Sequence, residues 1–442
     1  MLPDYLSRAT PNPSTNRAPW YANTAPSYAG IFLWVVFYME IAKGTIDRAG
    51  LGVCLIALAV AGVLSYALFY RVPAMLGMQT GFPLYVVGSS TFGSQGGYLM
   101  PGLLMGLLQI GWFSVGTFVS ASFILSGFGS SAGPGSLPFA LVAIAWGYIM
   151  AYAGVKGIKY VARFALYLNI IPLLMILLVF FRTAGGLAEY APADPNPYVG
   201  FMLLIQIVIG FFATAGAAGA DFGMHNRNER DVEMGGKVGI AMAILIAGGL
   251  PLLSVAGARV LYGVQSYTYD AVIGAIGGFL ATAMFFLFAV ASVPPACFCA
   301  FIAGNSFSTM IPSVPRMVST MAGVTVAIVL AISGAAANLI GLFTIVGASF
   351  GPICGAMAAD YLLSGRKWAG PREGINFAGY GAWAIGFVIG ILPFLPISTE
   401  LKPYLQPAAV YSFFAGFLVY MALAKAGLEP KSAPVSIPAA TD

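Results

Sequence analysis

Glu40 and Lys43 stand three residues apart inside the apolar run FLWVVFYMEIAKGTI, and Gly44 follows them directly. An ionisable group at bilayer depth is expensive, so it is paired, protonated or turned toward a polar path. Two chemistries fit: an internal i,i+3 ion pair that holds its own helix, or a carboxylate that accepts hydrogen bonds from a solute and exchanges a proton. Trp112 lies inside LLQIGWFSVG with Gln109 one turn earlier. An indole at depth needs packing and an acceptor for its N–H, which the wall of an aromatic solute site or ordinary interhelical packing supplies. Phe211, Phe212 and Thr214 precede the glycine-rich GAAGADF and offer a second aromatic face and a hydroxyl.

The stretch SVPPACFCAFIAGNSFST carries Pro294 and Pro295, which interrupt helical backbone bonding, and then Asn305, Ser306, Ser308 and Thr309. Hydroxyls so placed either bond back to their own helix or face freed carbonyls, as a desolvated sodium ion requires. Cys297 and Cys299 have no histidine or acidic company and read as small core filling, so neither a metal centre nor an organic cofactor is expected. The single histidine, His225 in GMHNRNERD, has no serine or cysteine nucleophile arranged with it. With no phosphate-binding loop, dinucleotide fingerprint or H-E-x-x-H either, the chain is not expected to be an enzyme.

These residues must be positioned by helices in lipid. Charged residues make up 8% of the 442 and apolar ones 59%, where a soluble domain carries about 25% charge. Apolar stretches of roughly 20 residues suit membrane helices, not the alternating strands of about 10 in a barrel. The polar, proline-containing first 25 residues lack a cleavable signal. Hydropathy and breaks place spans at 26–46, 50–71, 99–127, 137–155, 161–182, 199–220, 237–258, 278–303, 318–335, 338–360, 376–396 and 405–424. That is an all-α polytopic membrane protein of about 12 spans.

An even count puts both termini on one side. With that side cytoplasmic, it receives 15 of the 20 basic residues, Lys156, Lys159 and Arg163 among them, as the positive-inside bias requires. The same bias accounts for the net charge of +5 without nucleic acid. The first span, with Glu40, Lys43 and Gly44, and the sixth, with Gly216 and Gly219, are unsuited to continuous helix. They stand five spans apart, the spacing of inverted five-helix repeats that each open on a discontinuous helix.

The segments TGFPLYVVGSSTFGSQGGYLMPGLLMGLLQIGWFSVG at 80–116, the GVKGIKY loop at 154–160, GFFATAGAAGADF at 210–222, FGPICGAMAADYLL at 350–363 and NFAGYGAWAIGFVIG at 376–390 resemble the nucleobase-cation-symport-1 family, which includes cytosine permeases and hydantoin and allantoin transporters. The resemblance implies two inverted five-helix repeats followed by two helices: a cytoplasmic segment 1–25, a ten-helix core 26–363, two added helices 364–424 and a cytoplasmic tail 425–442. It implies solute between broken spans one and six and spans three and eight, with Trp112, Phe212 and Thr214 at the site beside Glu40 and Gln109. It would place sodium between carbonyls around Tyr38 and Ile41 and oxygens at Ser306 or Ser308. Three features depart from the family: Pro294, Pro295 or Ala296 replaces a span-eight asparagine, Gly223, Met224 and His225 follow Asp221 and Phe222 without an arginine, and Glu40 and Lys43 are charged.

The expected function is secondary active transport of a purine, pyrimidine or related heterocycle across the cell membrane, coupled to sodium or protons, with lipid as surroundings and no obligatory protein partner. A transporter of amino acids or other zwitterions, for which Glu40 and Lys43 would serve as counter-charges, and a non-transporting solute sensor are the alternatives.

Overall fold

The computed structural model describes residues 2–398 and 400–433, and over 157–166 the backbone alone. The end of the expected tail, 434–442, and the side chains of Lys159 and Arg163 lie outside the described residues. Among the described residues the regular elements are helices, joined by two isolated bridges, Ala18 to Asn226 and Arg372 to Ser432. Ten helical stretches among them are long and apolar enough to cross a membrane, and each overlaps an interval read from hydropathy. Arg316–Ile332 is apolar but shorter. It is separated from Leu339–Leu363 by Gly334, whose φ of 81° ends the helix at the expected SGAAAN.

Eight helices bound the site: α1 Thr24–Phe32, α2 Val35–Tyr38, α3 Leu104–Gly127, α4 Ile170–Thr183, α5 Pro197–Ala217, α6 Gly219–Gly223, α7 Val293–Met310 and α8 Leu339–Leu363. The first span breaks twice. Trp34 takes an extended ψ of 125° between α1 and α2, and a second irregular stretch at 39–45 includes Gly44 at φ 73°. Only the second break lies where glycine announced it. The sixth span breaks at Ala218, where ψ reaches 0° between α5 and α6. The eighth divides at Ser292, and the prolines fall in the first turn of α7, where their missing N–H groups have no helical acceptor in any case.

One expectation is corrected. GVKGIKY is not a loop, because Leu137–Leu168 continues through it as one helix and the break comes at Asn169. Two glycines each cost a helix only about 1 kcal/mol relative to alanine, and no proline stops it.

A buried ionic network ties the C-terminal helices to the 82–98 connection. Asp360 accepts from Ser90 at 2.7 Å, Thr91 at 2.9 Å and Arg372 Nη1 at 2.8 Å. Arg372 also donates to the Ser90 carbonyl and pairs with Glu429 at 3.1 Å, and Glu429 accepts from Tyr420 at 2.6 Å. Each charge is met by an opposite charge and by hydrogen bonds, the condition for burial.

Candidate solute-binding cavity

The breaks in the first and sixth spans face each other across α3 and α7, and a cavity of about 260 Å³ opens between them. Its size falls near the small end of small-molecule sites, about 300–1,000 Å³. From α1 and the following turn come Pro26, Ser27, Gly30, Ile31 and Trp34; from α3, Gln109 and Trp112. The sixth span contributes Phe211, Thr214, Ala215, Ala218 and Phe222, and α7 contributes Pro294, Pro295, Phe298, Cys299 and Ile302.

The aromatic side of this cavity is assembled by close contacts. Trp34 lies against α3 at Gly116, where a Cβ would approach the indole to 2.8 Å, so only glycine admits the ring. The Trp34 and Trp112 rings are 6.1 Å apart, and Phe211 meets Trp112 edge-on at 5.1 Å and 76°. Phe343 of α8 backs Trp112 at 5.5 Å.

The polar groups are few and specific. Trp112 Nε1 donates to Thr214 Oγ1 at 3.1 Å, closing the space between α3 and α5. Several threonines of this chain donate their hydroxyl to the carbonyl four residues back, as Thr45, Thr183 and Thr344 do. Thr214 makes no such bond among the described residues, so its proton remains for a cavity acceptor. Gln109 contacts the Met105 sulfur at 3.6 Å through its amide nitrogen and has its carbonyl oxygen free of protein donors among the described residues. Asn169 donates to the Pro26 carbonyl at 3.3 Å. It approaches α1 so closely at Gly30 that a Cβ there would lie 2.5 Å from its amide.

Among the described residues, the lining contains no Asp, Glu, Lys, Arg or His. A cavity so built stacks a flat ring and meets its edge with an amide and a hydroxyl. It offers no counter-charge to an ion, and an unpaired charge is costly to bury.

The sequence-derived candidates divide accordingly. Gln109, Trp112 and Thr214 are brought together at the wall. Phe212 is not there: it is fully buried behind the cavity, stacked on Phe32 at 5.4 Å and 22°, and Phe211 holds the wall position. The helical turn of about 100° per residue separates the two rings, and packing on α1 chose which one turned inward. Glu40 lies outside the lining and pairs with Lys43 at 3.4 Å, the carboxylate 18% and the ammonium 55% exposed.

Nor do the four cation candidates converge. Ser306 donates to the Gly102 carbonyl at 2.7 Å and Ser308 to Asn305 at 3.2 Å, while the Ile41 carbonyl receives the Thr45 hydroxyl at 2.7 Å. Tyr38 packs on Tyr269 and on Phe288. Phe288 lies on the order of 25 Å from Ser306 along their common span, at about 1.5 Å per residue. These positions do not fit a shared sodium cradle.

Sequence reasoning missed Trp34 and Asn169. A lone amide in the apolar LYLNIIP was a usable signal for the second; nothing local marked the first as the point where the span breaks.

Residues 11–416 match the family described as permease for cytosine/purines, uracil, thiamine, allantoin. The chain belongs to the nucleobase-cation-symport-1 family. Membership makes it a secondary active transporter that moves a small polar solute by alternating access. Its fold is similar to that of Mhp1, a nucleobase-cation-symport-1 family transporter solved in a closed conformation with bromovinylhydantoin bound, at TM-score 0.67 and 18% identity over 94% of this chain and 95% of that one. The inward-facing conformation of Mhp1 gives TM-score 0.69 and 16% identity over 98% and 97%. A mutant of the manganese transporter of Eremococcus coleocola is more distant, at TM-score 0.56 and 13% identity over 96% and 99%. No curated protein matches by sequence. At such identities the likeness speaks for fold, so what this family member carries is argued from its own cavity.

Proposed function

We propose that this chain carries a neutral planar heterocycle, a purine, a pyrimidine or a close relative, across the cell membrane in symport with a cation. The observation that carries the reading is a cavity walled by Trp34, Trp112 and Phe211, edged by Gln109 and Thr214, and free of Asp, Glu, Lys, Arg and His among the described residues. The solute ring stacks on Trp112 while its polar edge accepts from Thr214 and donates to the Gln109 oxygen. Zwitterionic solutes are disfavoured by the same walls, because Glu40 and Lys43 satisfy each other outside them.

The architecture that serves this is twelve spans, counting the broken 24–46 segment and Arg316–Ile332. Two inverted five-helix repeats occupy 26–363 and two further helices 364–424, with both termini cytoplasmic. Breaks at Trp34 and Ala218, five spans apart, support that division. The groups they free face the solute, and α1 and α6 rock against α3 and α7 to expose it to each side in turn.

The test is thermal stabilisation in detergent with cytosine, uracil, adenine, allantoin and a set of amino acids, followed by uptake into proteoliposomes. Nucleobases or allantoin should stabilise the protein and be taken up. Trp112→Ala should lose about 1–3 kcal/mol of base stacking, a weakening of about 5- to 150-fold. Stabilisation and uptake of amino acids alone would sink the proposal.

A further inference from the structure

The cavity's walls contain no carboxylate, ammonium, guanidinium or imidazole among the described residues, and the four sequence-derived sodium positions are scattered, so a coupling cation needs another place. Asp221 stands immediately beside the cavity. It lies on α6 between Ala218 and Phe222, both of which line the solute space. Its side chain is partly buried, and its Oδ2 accepts from the backbone N–H of Leu84 at 3.3 Å.

Among the described residues, no cation pairs with this carboxylate. The ionisable groups on the elements packed around α6 are Tyr28 of α1, Arg71 of the Arg71–Thr80 helix, Tyr85 of the 82–98 connection, and Arg17 and His225 beside them. Arg71 is committed to Glu233 at 3.1 Å and Glu229 at 3.8 Å. Arg17 donates to the Met78 carbonyl at 3.0 Å, and the His225 ring shares a hydrogen bond with Asn12 at 3.1 Å. The Tyr28 hydroxyl donates to the Ala215 carbonyl at 2.9 Å. A partly buried carboxylate held by one amide and no opposite charge can take up a proton without breaking an ion pair.

The contact made by Asp221 is also mechanically placed. Leu84 belongs to the connection that Ser90 and Thr91 anchor to Asp360. The Asp221 bond therefore ties the second half of the broken sixth span to the fixed ionic network. An ionised acceptor makes this kind of bond about twice as strong as a neutral one.

We propose that Asp221 is the proton-binding site that couples solute movement to a proton gradient. Its ionised carboxylate takes one proton from hydronium in the water that enters the cavity, becomes a neutral acid, weakens its hold on Leu84 N–H and frees α6 to move. It returns the proton to water when the cavity faces the other side, with no change of oxidation state anywhere. The inference rests on the heterocycle-transport reading for its solute and on Asp221 alone for its proton.

Two measurements keep these apart. Infrared difference spectra of the purified protein, between about pH 5 and about pH 8, should show a protonated carboxyl band that D221N lacks, whether or not any solute is known. In sodium-free proteoliposomes, with whichever of cytosine, uracil, adenine or allantoin stabilises the protein most, an acid exterior should drive accumulation toward about tenfold per pH unit for one proton per neutral solute. D221N should melt as the wild type does and exchange solute in counterflow within about twofold of it, yet accumulate none above equilibrium; D221E should restore accumulation. Absence of an Asp221-dependent carboxyl band overturns the inference even if no solute is found. So does wild-type accumulation by D221N, or accumulation by the wild type that needs a sodium gradient and ignores pH. If the band is present and none of the four solutes binds, the proton site stands and the heterocycle reading fails.

Discussion

Replacing Phe211 and Phe212 separately by alanine tests the register on which the cavity depends. Phe212 is fully buried, stacked on Phe32 at 5.4 Å and packed on Tyr28 at 5.7 Å. Its removal leaves a cavity in the packing between the first and sixth spans, at a cost of about 3–5 kcal/mol. Phe211 is also well packed, against Phe37 and Phe343, but it borders the solute space and meets Trp112 at 5.1 Å. An aromatic contact of this kind is worth about 0.5–1.5 kcal/mol beyond its buried area, so F211A should weaken solute binding about 2- to 13-fold, at about 1.4 kcal/mol per tenfold. The assays are melting temperature in detergent and equilibrium binding of the best-bound nucleobase to the protein that remains folded. F212A should show the larger loss of melting temperature and a near-native dissociation constant, and F211A the larger loss of affinity. Weaker binding in F212A with unchanged affinity in F211A would mean that Phe212 faces the solute, and the reasoning from burial would be refuted.

Two further outcomes follow from ion pairs in opposite settings. Removing the Asp360 charge, as D360N, leaves the buried Arg372 guanidinium with Glu429 as its remaining counter-charge, and should cost about 1–3 kcal/mol in unfolding measurements; a native melting temperature would refute the network's structural role. Replacing Glu40 and Lys43 together, as E40Q/K43M, removes a pair whose ammonium is largely exposed, and should change stability by no more than about 1 kcal/mol and leave solute affinity intact. Loss of affinity in E40Q alone would return Glu40 to the solute site.

Much of the molecule was legible in one dimension. Ten of the long apolar intervals became membrane-length helices, because the transfer of some twenty apolar residues from water to lipid is a local sum that hydropathy evaluates directly. Trp112 stood out because indoles are uncommon at depth, and Thr214 because a hydroxyl beside a glycine-rich break has somewhere to point; the two proved to be hydrogen-bonded to each other.

What the chain alone left open concerns direction around and along those helices. The choice of Phe211 over Phe212 is a rotation of one residue, and both residues have the same transfer free energy. The break at Trp34 has no glycine or proline to announce it; it follows from the indole fitting over Gly116 of another helix. Glu40 and Lys43 carried the strongest local signal and met each other, while Asn169, nearly silent, reached Pro26 of α1. Sequence determined which segments enter lipid, because that free energy belongs to each segment by itself. The tertiary structure decided which side chains converge, because that depends on partners distant in the chain whose shapes select one rotation, one break and one set of neighbours.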